Sequence, residues 1–311
     1  MNTMSHFTKF LAFLLFMIAV ALLFSVVFAS AGVTPRQDEG LLLDTYQRTK
    51  AKLEASSFGF PLVVESSERD DRVHVDVYGI FEHPFTSIVN MLTVPASWCD
   101  IVSLHPNVKG CTYSKQLSDW LLTFYLGSKA YQPLEDTRSV ISHYRSVDRQ
   151  GYLDIVLNAA EGPYGTKEHR MRFEALPITG DRTFVHVSYA YSDSVALRLV
   201  AKIYFATLGR SKVGFTVTGI DGSGKPIYIG GPRGAVERSA VRYFFAIQSF
   251  MNTLRYPEES RFSMRINEWY DLTVRYRKQL FDLDRKEYLA AKTKEHENQV
   301  ILQRRIASGN R

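Results

Sequence analysis

Between Arg72 and Phe81 the chain alternates. Val73, Val75, Val77 and Tyr78 mix with Arg72, His74 and Asp76. A period near two places one strand face in a core and the other towards water. Similar runs recur downstream. Val108 to Ser114, Trp120 to Leu126, Ser139 to Asp148, Gly151 to Ala159, Thr166 to Leu176 and Thr183 to Tyr191 all read as strands. Short turn-rich breaks separate them, as in antiparallel meanders. Asp148 to Gly151 and Thr179 to Asp181 are hairpin turns by composition.

The period changes to helical at Gly231. Ala240, Phe244, Ile247, Met251 and Leu254 recur three or four residues apart, and Val241, Phe245 and Phe250 widen the stripe. Burying such side chains stabilises by roughly 1.5–3 kcal/mol each before entropy is subtracted. A helix from Gly231 to Leu254 therefore needs a large apolar partner, and the preceding strands supply one. Glu237, Arg238, Arg242 and Gln248 are left for water or polar partners, with ion pairing at the surface expected for the arginines.

The remaining elements are shorter. Asp38 to Ser56 reads as a helix after a linker from Val33 to Gln37, and Phe60 to Glu65 as a first strand. Pro84 opens a helix that Pro95 stops, and Ala96 to Leu104 forms a second one. Val195 to Thr207, rich in Ala and Leu, suggests a further helix. Lys212 to Ile220 and Pro226 to Ile229 form a hairpin across Asp221 to Lys225. That glycine-rich stretch lacks the Walker spacing and the following Ser/Thr, so it is a turn. Arg261 to Ile306 is charged and helical. Its apolar stripe from Trp269 to Leu289 thins after Ala291, which predicts one long or two shorter helices fraying into a solvated tail.

The N-terminus changes the setting. Phe10 to Phe28 is an apolar run, with Lys9 before it and Ala29-Ser30-Ala31 after it. A cleaved secretory signal fits the small-x-small site, and an uncleaved anchor fits the length. Both send residues from 32 onward out of the cytoplasm, to the periplasm or cell envelope. Cys99 and Cys111 are the two cysteines, and in an oxidising compartment they are expected to pair. A Cys99–His105 nucleophile is the rival reading. No base-orienting signature surrounds it.

Composition fits a globular chain of 311 residues, 45% hydrophobic and 23% charged. Aromatics at 13% suit a β-rich core or an aromatic-lined cavity. The +6 charge is scattered, without an arginine-rich run or an RNA-binding signature, so nucleic acid is not expected as a partner. No hydrolase elbow, zinc-protease motif, Walker loop or dinucleotide fingerprint occurs. The histidines, among them His74, His83, His105, His143, His169 and His186, lack metal-ligand spacing. Asp181, Asp193, Asp221 and Glu161 fall in turns. No catalytic residue, metal or cofactor is assigned.

Taken in order, the Val73–Phe81 strand, the Phe85–Leu104 helix pair with Trp98, the Lys212–Ile229 hairpin and the Gly234–Leu254 helix resemble a START-type lipid-binding domain over residues 72–254. The resemblance implies an α+β helix-grip fold, with a curved antiparallel sheet wrapped around the long helix. It also implies a hydrophobic ligand, carried without obligatory catalysis. Residues 32–71 then form an N-terminal helix and strand, and 255–311 a charged helical extension. A cavity of this kind would be lined by Trp98, Phe124, Tyr189, Phe215, Tyr228, Phe244, Ile247 and Met251, although the same residues suit plain core packing. Arg238 or Arg242 would meet an anionic head group. Two other readings stay open. One is an interaction protein with a solid core whose C-terminal helix docks a partner, and the other is an envelope enzyme with a cluster of perturbed titratable groups.

Overall fold

The structure is a computed structural model that describes residues 35–69, 72–193, 209 and 211–309. The apolar run before residue 32 and the helix expected over Val195–Thr207 lie outside these residues.

Eight antiparallel strands make one sheet. In chain order they are β1 (Leu62–Arg69), β2 (Arg72–Phe81), β3 (Val108–Gln116), β4 (Asp119–Leu126), β5 (Arg138–Arg149), β6 (Tyr152–Glu161), β7 (Lys167–Thr179) and β8 (Arg182–Ser192). Their spatial order is β1-β2-β8-β7-β6-β5-β4-β3. Strands β3 to β8 run as a meander, and β8 returns to pair with β2 over its full length, from Arg72–Ser192 to Phe81–Thr183. The alternation of β2 appears as burial, with Val73, Val75 and Val77 inside. A short hairpin of β9 (Val217–Ile220) and β10 (Pro226–Tyr228) stands apart as a second sheet. Its turn is closed by Asp221, whose Oδ1 accepts the N–H groups of Ser223 and Lys225.

The helices are α1 (Pro35–Glu54), α2 (Phe85–Leu92), α3 (Pro95–Val102), α4 (Gly231–Asn252), α5 (Glu258–Val274), α6 (Arg277–Leu280) and α7 (Arg285–Ala307). The chain divides between Leu41 and Leu42. Helix α1 begins at Pro35, inside the expected linker, because proline is suited to a first turn. Leu42 and Leu53 of α1 join Tyr78, Tyr152, Leu176 and Phe184 in an apolar cluster on the outer sheet face.

Helix α4 lies on the inner face. Val236, Ala240, Phe244, Phe245, Ile247, Phe250 and Met251 are all buried in the main core with Val75, Val77, Phe81 and Val187. Phe244 comes so close to β2 that a Cβ on Gly79 would collide with its ring, so a glycine is required there. This sheet and long helix form the helix grip expected from the sequence. Helices α2 and α3 meet at 91° at the other end of the inner face. Trp98 packs edge-on against Phe173, and its Nε1 donates to Leu92 O at 2.8 Å. The Tyr144 hydroxyl donates to the same carbonyl, which closes the end of α2. Cys99 of α3 and Cys111 of β3 form a disulfide. Closing this short loop stabilises by about 3 kcal/mol in the chain-entropy model.

The C-terminal helices correct the expected tail. Ile266, Trp269, Tyr270, Leu272, Leu280 and Tyr288 belong to the main core. Helix α7 does not fray but lies against β3, the edge strand. Its apolar stripe thins because the docking face is polar. Gln299 Oε1 accepts the Cys111 N–H at 2.7 Å. Gln303 accepts the Tyr113 N–H at 2.8 Å and donates to Tyr113 O at 3.0 Å. Side-chain amides thus stand in for a ninth strand, which removes an open sheet edge.

Candidate functional site

Helix α4 packs on β1, β2 and β8, while α3 packs on β3 and β4. Among the described residues, the inner face between these supports is left partly uncovered. A cavity of about 470 Å³ lies there, bounded by β4 to β8, the α3–β3 junction and the first half of α4.

Register explains its apolar wall. Leu157, Met171 and Tyr189 lie opposite one another across β6, β7 and β8. Phe124 pairs with Val140 across β4 and β5. Val102, Val108, Leu126 and Ala159 complete the apolar surface. The polar groups are His105, Asn107, Arg138, Ser142, His169, Ser239 and Tyr243.

His169 is fixed by a directed chain of hydrogen bonds. The Thr166 hydroxyl donates its single proton to Pro163 O at 2.6 Å. It therefore accepts from His169 Nε2 at 2.7 Å. Nδ1 is then the acceptor for the Tyr189 hydroxyl, also at 2.7 Å. Burial lowers the pKa of His169 and raises that of Tyr189, so both stay neutral. The ring stacks on Tyr191 and occupies the place that a side chain on Gly162 would take.

His105 is held differently. Its Nδ1 accepts the Asn107 N–H at 3.1 Å, which places the remaining proton on Nε2. The ring stacks on Tyr243 with centroids 5.2 Å apart. Burial drives its pKa well below the usual histidine range, and Arg242, Lys292, Lys129 and Lys109 push it the same way. Burial raises the Tyr243 hydroxyl to about 12.

Of the eight residues expected to line a cavity, Phe124 and Tyr189 stand in its wall. Trp98, Phe244, Ile247 and Met251 are fully packed in the core, at most 1% exposed. Phe215 packs on Phe58 and Tyr276. Tyr228 carries Lys278 over its ring at 4.7 Å. The long helix thus uses its large side chains for grip and offers the cavity only Ser239 and Tyr243. Arg242 and Glu237 also correct the expected surface pairing. Arg242 is buried against Asp282 at 2.6 Å. Glu237 is fully buried; it accepts the Phe215 and Thr216 N–H groups and bonds Ser66. Both charges were read as surface because a polar residue beside an apolar stripe carries no mark of a distant partner. His105, His169 and Tyr243 went unassigned for the same reason, since neither periodicity nor spacing marks them. Among the described residues no group of three His, Cys, Asp or Glu side chains is placed to hold a metal ion.

Several solved structures are similar in fold. Human StAR-related lipid transfer protein 5 is 9% identical, with a TM-score of 0.34 over 71% of this chain and 100% of that one. A STAR-related lipid transfer protein fragment from Xanthomonas axonopodis is also 9% identical, with a TM-score of 0.30 over 48% of this chain and 94% of that one. Norcoclaurine synthase from Thalictrum flavum is 12% identical, with a TM-score of 0.32 over 48% and 82%. With TM-scores this low, the fold assignment rests on the strand order and helix placement of this chain. No protein-family model and no curated protein sequence matches it.

Proposed function

We propose that the protein binds an apolar or lipid-like ligand in the cavity between sheet and α4, without transforming it, in the cell envelope. The observation that carries this reading is the cavity itself. At about 470 Å³, it falls within the roughly 300–1,000 Å³ typical of small-ligand pockets. A packed interior leaves few voids larger than a water molecule, so a hollow of this size, with Phe124, Leu126, Leu157 and Met171 in its wall, is suited to an apolar guest. The hydrogen bonds of His169 support a binding role. Both ring nitrogens are committed to neighbours, with the Nδ1 lone pair occupied by the Tyr189 hydroxyl, so the ring offers a ligand neither a free donor nor a free acceptor. The N-terminal apolar run and the paired cysteines support an exported location.

The alternative of a solid core with a docking C-terminal helix loses its docking face. Trp269, Leu272, Leu280 and Tyr288 are consumed in the protein's own core. Native mass spectrometry of the full chain followed by organic extraction tests the proposal. A co-purifying amphiphile, released on denaturation, is the expected result. A ligand-free protein that also fails to bind fluorescent fatty-acid and sterol probes would refute it.

A further inference from the structure

The polar groups of the cavity wall fall into two sets. The histidines are closed. His169 is bonded at both ring nitrogens, and His105 Nε2 is sealed from any molecule the size of water. The hydroxyls are open. Ser142 Oγ, Ser239 Oγ and the Tyr243 hydroxyl have no hydrogen-bond partner among the described residues, yet none of the three is sealed. Ser142 is only 2% exposed, and Ser239 and Tyr243 are half-buried. Buried polar groups in native proteins are almost always paired, so three open hydroxyls in one wall mark a place for a polar atom brought from outside. Ser239 and Tyr243 lie one turn apart on the same face of α4. Together they offer two O–H donors, and one ligand oxygen has two lone pairs to receive them. Ser142, on β5, offers the same chemistry from the sheet side.

The second observation is that the wall disfavours charge. Burial lowers the pKa of His105 and His169 and raises that of Tyr189 and Tyr243, so all four rings are neutral. Arg242, next to Tyr243 in the chain, is already neutralised by Asp282 at 2.6 Å. Arg138 is the one charged side chain among the described lining residues, and it is exposed to water at the first position of β5. A charged head group drawn into this cavity would be buried without a counter-ion, which is costly. A pure hydrocarbon would strip water from three hydroxyls and return no hydrogen bond, which also costs affinity. A neutral oxygen avoids both penalties.

We propose that the ligand is a neutral lipid whose alcohol or carbonyl oxygen is held by Ser239 and Tyr243, while its hydrocarbon lies against Phe124, Leu157 and Met171. This rests on the cavity reading and adds the class of polar group. A few placed hydroxyls in an apolar wall fix the orientation of such a guest. Two sources share the chemistry, a lipid alcohol and a lipid ketone or ester.

The test is displacement of Nile red, a neutral dye, from the full chain. The competitors are decan-1-ol, undecan-2-one, decane and decanoate, each measured on the parent, Tyr243→Phe and Ser239→Ala. Tyr243→Phe keeps a ring against His105, and alanine is a strong helix former, so each change removes a hydroxyl and little else. Each should weaken the alcohol and the ketone by about three- to tenfold without weakening decane, as the loss of one hydrogen bond warrants. The alcohol-to-alkane ratio is read within each variant, so a general loosening of the cavity does not move it. The alcohol donates and accepts while the ketone only accepts, and the stronger of the two identifies the source. An unchanged ratio in both variants overturns the proposal but leaves the cavity reading intact. So does decanoate binding more tightly than decanol to the parent, because the site then recognises a charge. If neither Nile red nor any of the four competitors binds, the cavity reading falls and this proposal falls with it.

Discussion

Arg242 Nη2 lies 2.6 Å from Asp282 Oδ2, with both side chains about 5% exposed. The arginine also donates to Leu280 O, so one guanidinium ties α4 to the segment that follows α6. Removing one member leaves the other charged and buried. Asp282→Ala should therefore destabilise by about 3–5 kcal/mol, measured by urea unfolding. Replacing both with apolar residues, as in Arg242→Met with Asp282→Leu, should cost far less than the single change. A single variant as stable as the parent would show that the pair is solvated in solution.

Gln299 closes the sheet edge by accepting the Cys111 N–H and the Ser103 hydroxyl. Gln299→Ala leaves a buried amide without a partner and should cost about 1–3 kcal/mol. It should also raise the tendency to aggregate, because β3 regains an open edge. Light scattering during refolding reads the second effect. Gln303→Ala, at a less buried position, should show a weaker version of both.

On the outer sheet face His186 bridges Asp76 and Glu174, at 2.8 and 2.9 Å. Burial opposes its protonation, but the two carboxylates prevail and raise its pKa to about 9. A raised histidine stabilises fully below its unfolded value of 6.5, and that stability is lost as pH rises through about 9. The magnitude is about 3 kcal/mol at 1.36 kcal/mol per unit. Asp76 is lowered to about 2 despite burial, because it bonds His186 and His74. Its contribution is present above 3.8 and is lost as pH falls through about 2. His105 and His169, held below the usual histidine range by burial, act in the opposite sense, and their contribution is lost as pH falls below 6.5. Stability should therefore be highest near pH 6.5 and decline on either side. His186→Gln should abolish the alkaline decline. A parent melting temperature that stays constant from pH 6.5 to 9.5 would contradict this.

Ala159 sits in the cavity wall on β6 with little side-chain volume. Ala159→Phe should fill part of the space and weaken fatty-acid probe binding by more than about tenfold, with a stability change of about 1–3 kcal/mol. Retained probe affinity in the folded variant would place the probe elsewhere.

Much of the fold was legible before any coordinates. The alternation of Val73, Val75 and Val77 and the helical recurrence of Phe244, Ile247 and Met251 each encode a burial direction locally, and the structure follows them. What could not be read is pairing across the chain. Nothing near Lys109 announces Glu295, and nothing near Gln299 announces Cys111. A charged helix face looks the same whether it meets water or a strand edge. The cavity failed for a related reason. Periodicity shows which side chains point inward, but not which of them meet one another and which face a void. Large residues on α4 were therefore expected at the cavity, when their size is what fills the space beside β2.

The glutamine ladder on β3 has a consequence for how the chain matures. Cys111 and Gln299 are separated by 188 residues, and Lys109 and Glu295 by 186. A chain emerging from its N-terminus thus makes the edge strand long before its cover exists. Until the last helix emerges, β3 has an unpaired edge and Lys109 has no carboxylate. Closing this edge is then a late event relative to the strands, and a chain cut before Gln299 would resemble a stalled folding intermediate more than a shortened protein.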